Sequence, residues 1–164
     1  MELDYGFTKE NYWFRYRAAA IIVEDGYVLF AGNENEDYLY SIGGGVHAGE
    51  TSQEAVEREV YEETGVRYAV DRLAAVHENF FMGHGGEWEG LVCHEVCFYY
   101  LMKPRGSRTL DAHGVTHGVR EEVHWVPVAQ LDEVRAYPTF FAEYLRRKPR
   151  EIWHIVTDET EGKR

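Results

Sequence analysis

The stretch "GGGVHAGETSQEAVEREVYEETGV", residues 43–66, decides how the chain is read. Three glycines stand ahead of a run of glutamates. Clustered carboxylates repel one another, and the chain is already acidic: 29 Asp and Glu oppose 17 Lys and Arg, a formal net charge of −12. From Thr51 to Thr64 there is neither Pro nor Gly, and helix formers dominate. Thr51 and Glu54 have capping-box spacing, and Gly65 fits the position after a helix end. The spacing predicts a helix.

Projection at about 100° per residue separates its charges. Glu59, Glu62 and Glu63 fall among Ala55, Val56 and Val60, the small apolar residues that should face a sheet. Glu54, Glu57, Arg58 and Tyr61 fall on the opposite side. An ordinary surface helix keeps its charges off its apolar stripe. Like charges at i,i+3 or i,i+4 cost roughly 0.2–0.5 kcal/mol each, and partial burial raises the penalty. A divalent cation removes it, and oxygen ligands select hard ions, Mg²⁺ first and Mn²⁺ next. A glycine-rich turn before a helix lets backbone N–H groups approach an anion, so Gly43, Gly44 and Gly45 are read as a phosphate-side wall.

Outward from this helix, "RAAAIIVE" and "YVLFAG" flank Asp25-Gly26, a hairpin signal, and "YLYSI" is a further short strand. Downstream, "AVDRLAAVHENFF" contains a strand, "MGHGGEWEG" is a loop, and "LVCHEVCFYYLM" is a strand placed centrally in a sheet. Residues 103–120 read as an irregular connection, "EVHWVPV" as a strand and "VAQLDEV" as a short turn or helix. "PTFFAEYLRRK" reads as a helix with Pro138 at its first position, and "EIWHIVT" as an edge strand. Strands mixed with two or three helices point to an α/β or α+β sandwich in one domain spanning residues 1–164.

The segment resembles the Nudix box, G-x5-E-x7-R-E-U-x-E-E-x-G-U with U a bulky aliphatic residue. Gly44, Glu50, Arg58, Glu59, Val60, Glu62, Glu63, Gly65 and Val66 fill every defined position over residues 44–66. The surroundings extend the resemblance over most of residues 16–147. It implies an α/β/α sandwich around a mixed β-sheet, with the box forming loop–helix–loop. It also implies a pyrophosphohydrolase that splits a nucleoside diphosphate derivative by water attack at phosphorus, with divalent ions neutralising the phosphates. Carried over by position, Glu59, Glu62 and Glu63 should bind metal, Arg58 should orient them by ion pairing, and Glu50 should be a supporting acid. Gly44 should let the loop pass the substrate. Glu62 or Glu63 is the preferred base, and Glu121 and Glu122 are candidates for a further ligand or base. Ile42 and His47 stand where many members have Pro and Glu.

Other residues carry weaker signals. Glu95, a charged residue in an apolar strand, is expected to line the site, as a further metal ligand or base; a salt bridge at the sheet rim is the alternative. Glu87, Trp88 and Glu89 are read as exposed loop residues, as are His113 and His117. Phe14, Tyr16, Phe80 and Phe81 are weighed for stacking on a base. No His/Cys set has zinc spacing.

Composition excludes several classes. The acidic balance disfavours broad nucleic-acid or anionic-membrane binding. No apolar run approaches the roughly 18 residues that span a bilayer. Cys93 and Cys97, four apart in a strand, are too far apart for a disulfide, which suits a reducing cytoplasm. The aromatic "YWFRY" either covers a second copy, giving a homodimer, or packs within the chain. The substrate stays open between nucleoside triphosphates, nucleotide sugars and capped RNA ends. Two rivals share the fold: a module that binds a nucleotide without hydrolysing it, and a metal-dependent isomerase.

Overall fold

Successive side chains of a strand point to opposite faces, so the apolar run Ala18–Ile22 feeds two cores at once. The computed structural model describes residues 2–111, 115–116 and 119–164, with backbone alone at 115, 116 and 119–121. His113 and His117 lie outside the described residues.

The strands are β1 (Gly6–Lys9), β2 (Tyr12–Ile21), β3 (Val23–Glu24), β4 (Tyr27–Asn33), β5 (Leu39–Gly45), β6 (Val70–Met82), β7 (Val92–Met102), β8 (Val115–Thr116), β9 (Val119–Pro127), β10 (Ala136–Tyr137) and β11 (Trp153–Asp158). The helices are α1 (Ser52–Thr64) and α2 (Phe141–Arg147). The sheet runs β11-β6-β7-β2-β5-β4-β9-β8, with β1 beside β2, β10 beside β5 and β3 beside β4. It is mixed: β2 runs parallel to β7 and β11 parallel to β6, while β6–β7, β2–β5 and β4–β9 are antiparallel. β5 joins the two halves, its Ile42–Gly45 pairing with β2 and its Tyr40 and Ser41 with β4.

One core gathers Ala18, Ala20, Ile22, Leu29, Ala31 and Ile42 under Ala55, Val56 and Val60 of α1. The other gathers Ala19, Ile21, Val28, Phe30 and Tyr99 against Phe141, Ala142 and Tyr144 of α2. The result is the expected α/β/α sandwich. Strand β7 is interior and β11 is at the edge, as their patterns indicate.

Two elements differ from expectation. Strand β2 begins at Tyr12, five residues before "RAAAIIVE", because Gly6–Lys9 pairs back on it as β1. The turn between them contains no Gly or Pro; Glu10 takes the positive φ itself. Helix α2 starts at Phe141 rather than Pro138, because Ala136 and Tyr137 are held beside β5 as β10.

Candidate active site

Helix α1 is built as its sequence dictates. The Thr51 side chain accepts from the Glu54 N–H, Glu54 returns a bond to the Thr51 N–H, and Gly65 closes the helix in the left-handed conformation. The buried residues are Ser52, Ala55, Val56, Val60 and Thr64. Glu62 and Glu63 lie in the last turn, which carries no basic residue. The negative end of the helix dipole disfavours carboxylates there.

The charged residues converge on Arg58. Its Nε and Nη2 donate to Glu50 Oε2 and Oε1 at 3.1 and 2.6 Å, and Nη1 donates to Glu59 Oε1 at 2.7 Å. Nη1 also reaches Glu62 Oε2 at 3.3 Å, and Nη2 donates to the Gly45 carbonyl at 3.0 Å. Arg58 is thus not set opposite the carboxylates: Glu62 lies one turn on, about 40° around the helix, and the half-buried side chain also reaches the end of β5.

Electrostatics follow from these contacts. The Arg58 guanidinium holds the Glu50 carboxyl below its ordinary range, helped by the His47 N–H. Burial pushes Glu59 upward; Arg58 opposes the shift and the neighbouring Glu62 charge adds to it. Glu59 is therefore a carboxylate whose charge is incompletely compensated.

The three glycines correct another expectation. Gly43–Gly45 are the end of strand β5, opposite Ala19, Ala18 and Arg17, not a turn. The Gly43 N–H donates to Glu63 Oε2 at 2.9 Å, so it is already taken. A Cβ on Gly44 would run into the Glu59 carboxylate, and one on Gly45 into Asp4. Close approach of neighbouring groups accounts for glycine here.

The donor set fits a hard divalent cation: all-oxygen ligands, and a half-buried Glu59 whose carboxylate lies against Gly44 in the place a Cβ would fill. Among the described residues, no three carboxylate, imidazole or thiol groups are already gathered to hold a metal. The reason is Arg58, which ties up Glu59 and Glu62 from one side, while Glu63 is turned to Gly43.

A cleft of about 800 Å³ opens on the α2 face, lined by Arg15, Arg17, Ser41, His77, Glu95, Tyr137 and Phe140 among others. The box carboxylates do not line it, but Arg17 acts electrostatically on both Glu59 and Glu63. Glu95 stands in its wall, 8% exposed, and binds Arg15 through Nε at 2.9 Å and Nη2 at 2.5 Å. Of the four aromatic stacking candidates, Phe81 lines this cleft. Phe14 and Phe80 instead pack around His94, and Tyr16 against Phe98. Trp88 is exposed and meets Trp13 edge-on, and Glu89 accepts from the Gly85 N–H. Glu122 is exposed on β9, 3.6 Å from His124; the Glu121 side chain lies outside the described residues.

Sequence reasoning passed over Arg15, Arg17 and His77. The first two were within reach: they alternate on β2, on the same face as Ala19 and Ile21.

Comparison with known proteins identifies the family. The NUDIX domain family model matches residues 13–148. No curated protein sequence matches the chain. A MutT protein from Bacillus halodurans is similar in fold, with a TM-score of 0.65 and 16% identity over 90% of this chain and 92% of that one. A MutT NUDIX hydrolase from Burkholderia pseudomallei shares 26% identity, covering 71% of this chain and 84% of that one at a TM-score of 0.51. A UDP-X diphosphatase superposes at 0.56 with 17% identity, covering 91% and 69%. The chain belongs to the NUDIX domain family and is a Nudix hydrolase, an enzyme acting on the phosphoanhydride bonds of nucleoside diphosphate-linked compounds.

Proposed function

We propose that this enzyme hydrolyses the pyrophosphate linkage of a nucleoside triphosphate, nucleotide sugar or similar nucleotide, using Mg²⁺, with Mn²⁺ as a substitute. The observation that carries the reading is the grouping of Glu50, Glu59 and Glu62 around one guanidinium, with the Glu59 carboxylate seated against Gly44 where a Cβ would be. Glu59, Glu62 and Glu63 would hold the cation. When bound, it neutralises phosphate charge and lowers the pKa of water.

The chain's own residues do the rest. Glu50 fixes Arg58 through two bonds, and Arg58 sets the carboxylates of Glu59 and Glu62 in place. Glu62 or Glu63 accepts the proton of the attacking water, with Glu121 and Glu122 as the alternative bases on β9. The α2-face cleft receives the remainder of the nucleotide. Its aromatic lining suits a base, and Arg17 joins it electrostatically to the box. Among the described residues no helix is long and apolar enough to cross a membrane. We place the enzyme in the cytoplasm on its two free, buried thiols, Cys93 and Cys97.

A panel of nucleoside triphosphates, nucleotide sugars, dinucleotides and capped RNA ends, supplied with Mg²⁺, tests the reading. A mononucleotide, phosphate or pyrophosphate product from at least one of them is expected. Nucleotide binding without turnover of any would replace the reading with a non-catalytic binding module.

A further inference from the structure

We infer that Arg17 is a substrate-binding residue, holding the phosphate on the cleft side of the scissile linkage. The inference rests on the nucleotide reading above and adds a residue that lies outside the box.

Arg17 is 7% exposed, yet it lines the large cleft. Its partners are all neutral. Nη1 donates to Ser41 Oγ at 2.9 Å and to Cys97 Sγ at 3.6 Å, and Nη2 donates to the Ser41 carbonyl at 2.8 Å. Burial pushes the Cys97 thiol up to about 11, so it is uncharged at neutral pH. Among the described residues, no carboxylate stands within ion-pair distance of Arg17. The nearby Glu95 accepts both of its hydrogen bonds from Arg15, through the single oxygen Oε2. It attracts Arg17 from beyond ion-pair distance, as does Glu63. His77 adds no further positive charge at neutral pH, because burial lowers its pKa.

A buried guanidinium without a carboxylate is costly, and here it occurs in a chain with a formal net charge of −12. Acidic residues are plentiful, yet among the described residues none forms an ion pair with it; Glu95 and Glu63 attract it only at longer range. Such a charge is retained where an anion arrives with the ligand. Position supports the assignment. Arg17 stands opposite Gly45 in the β2–β5 ladder, at the end of the strand that Glu59 and Glu63 touch. A pyrophosphate reaching from those carboxylates into the cleft meets Arg17 next. The fork donates to phosphate oxygens, while its anchoring to Ser41 preorganises it.

The test compares wild type, Arg17→Lys and Arg17→Met in the presence of EDTA, by calorimetric titration with AMP, GMP, UMP and CMP and with the four matching nucleosides. At least one monophosphate should bind wild type more tightly than its nucleoside, with affinity falling as salt rises. Arg17→Met should weaken that monophosphate roughly ten- to a hundredfold and leave its nucleoside unchanged. Arg17→Lys should fall between. Thermal melting supplies the structural control: Arg17→Met removes a buried charge that has no ion-pair partner but takes the donors from the Ser41 hydroxyl and carbonyl, so it should melt within a few degrees of wild type. Equal binding of monophosphates and nucleosides by wild type, or unchanged monophosphate binding in Arg17→Met, would overturn the assignment. So would a folded but clearly less stable Arg17→Met with nucleotide affinity intact. Failure of the nucleotide reading itself would look different: wild type would turn over nothing in the Mg²⁺ panel, whatever the variants bind.

Discussion

Arg58 grips Glu50 with two hydrogen bonds, Nη2 to Oε1 at 2.6 Å and Nε to Oε2 at 3.1 Å, and with its remaining nitrogen reaches Glu59 at 2.7 Å. One planar side chain thus fixes the helix carboxylates to the loop before the helix. Lysine keeps the charge but offers no fork. Arg58→Lys should lower kcat roughly ten- to a hundredfold and cost about 1–3 kcal/mol of stability. Steady-state kinetics with urea unfolding checks both. Unchanged kcat would show that the carboxylates hold their places without Arg58.

Gly44→Ala isolates the space beside Glu59. The added methyl runs into the Glu59 carboxylate, the movable end of a side chain, so the helix should stay folded while Glu59 is displaced. The expected loss is about tenfold or more in Mg²⁺-dependent turnover, with stability changed by about 1 kcal/mol or less. A melt and an Mg²⁺ titration of activity measure the two effects separately.

Glu24 tests a structural clamp away from the box. It is 3% exposed and accepts from the backbone N–H groups of Arg105 and Gly106, the latter at 3.0 Å, and from the Tyr68 hydroxyl at 3.2 Å. The segment it pins runs on to Asp111, whose N–H donates to Thr64 at the end of α1. Glu24→Ala removes the acceptor of two backbone N–H groups and of the buried Tyr68 hydroxyl and should cost about 1–3 kcal/mol. Glu24→Gln, which keeps an acceptor, should cost less. Equal unfolding midpoints for the two variants would contradict the clamp.

His77 predicts a pH effect on stability. It is 6% exposed, binds Thr157 Oγ1 at 2.8 Å and has its pKa lowered by burial, against the pull of Glu95. In the unfolded chain its imidazole takes a proton near pH ~6.5; in the folded protein it does so only at lower pH. The unfolded state then binds more protons, so stability falls as pH drops from the ordinary histidine range through the folded value, and is unaffected above that range. NMR titration of the ring should show the low value, and His77→Gln should lose stability less steeply than wild type over that interval.

How far the sequence could be read depends on the range of the interactions. The ends of α1 were legible because Thr51, Glu54 and Gly65 act within one turn. The division into two cores was not legible: β2 and β7 are nearly continuous apolar runs, and only the sheet with a helix on each side separates Ala18 and Ala20 from Ala19 and Ile21. The pairing of Arg58 with Glu62 follows from their i,i+4 spacing, whereas its reach to the Gly45 carbonyl depends on where β5 ends and was not legible. The glycines were misread for a related reason: Gly43–Gly45 looked like a turn, but their use is set by what approaches them from α1 and the N-terminus. The cleft was beyond reach, because pairs such as Arg15 and Glu95 lie eighty positions apart and meet only through the parallel β2–β7 register.

The central claim is that the glutamates on the sheet-facing side of α1 form the metal platform of a pyrophosphohydrolase. The most direct measurement is Mg²⁺-dependent turnover of the best substrate by Glu62→Gln beside wild type, with circular dichroism of both. Glu62 is the most exposed of the carboxylates bound to Arg58, so its loss should leave the fold intact. The account predicts a turnover lower by at least about two orders of magnitude with an unchanged spectrum. Near-normal turnover in a folded Glu62→Gln protein would contradict it.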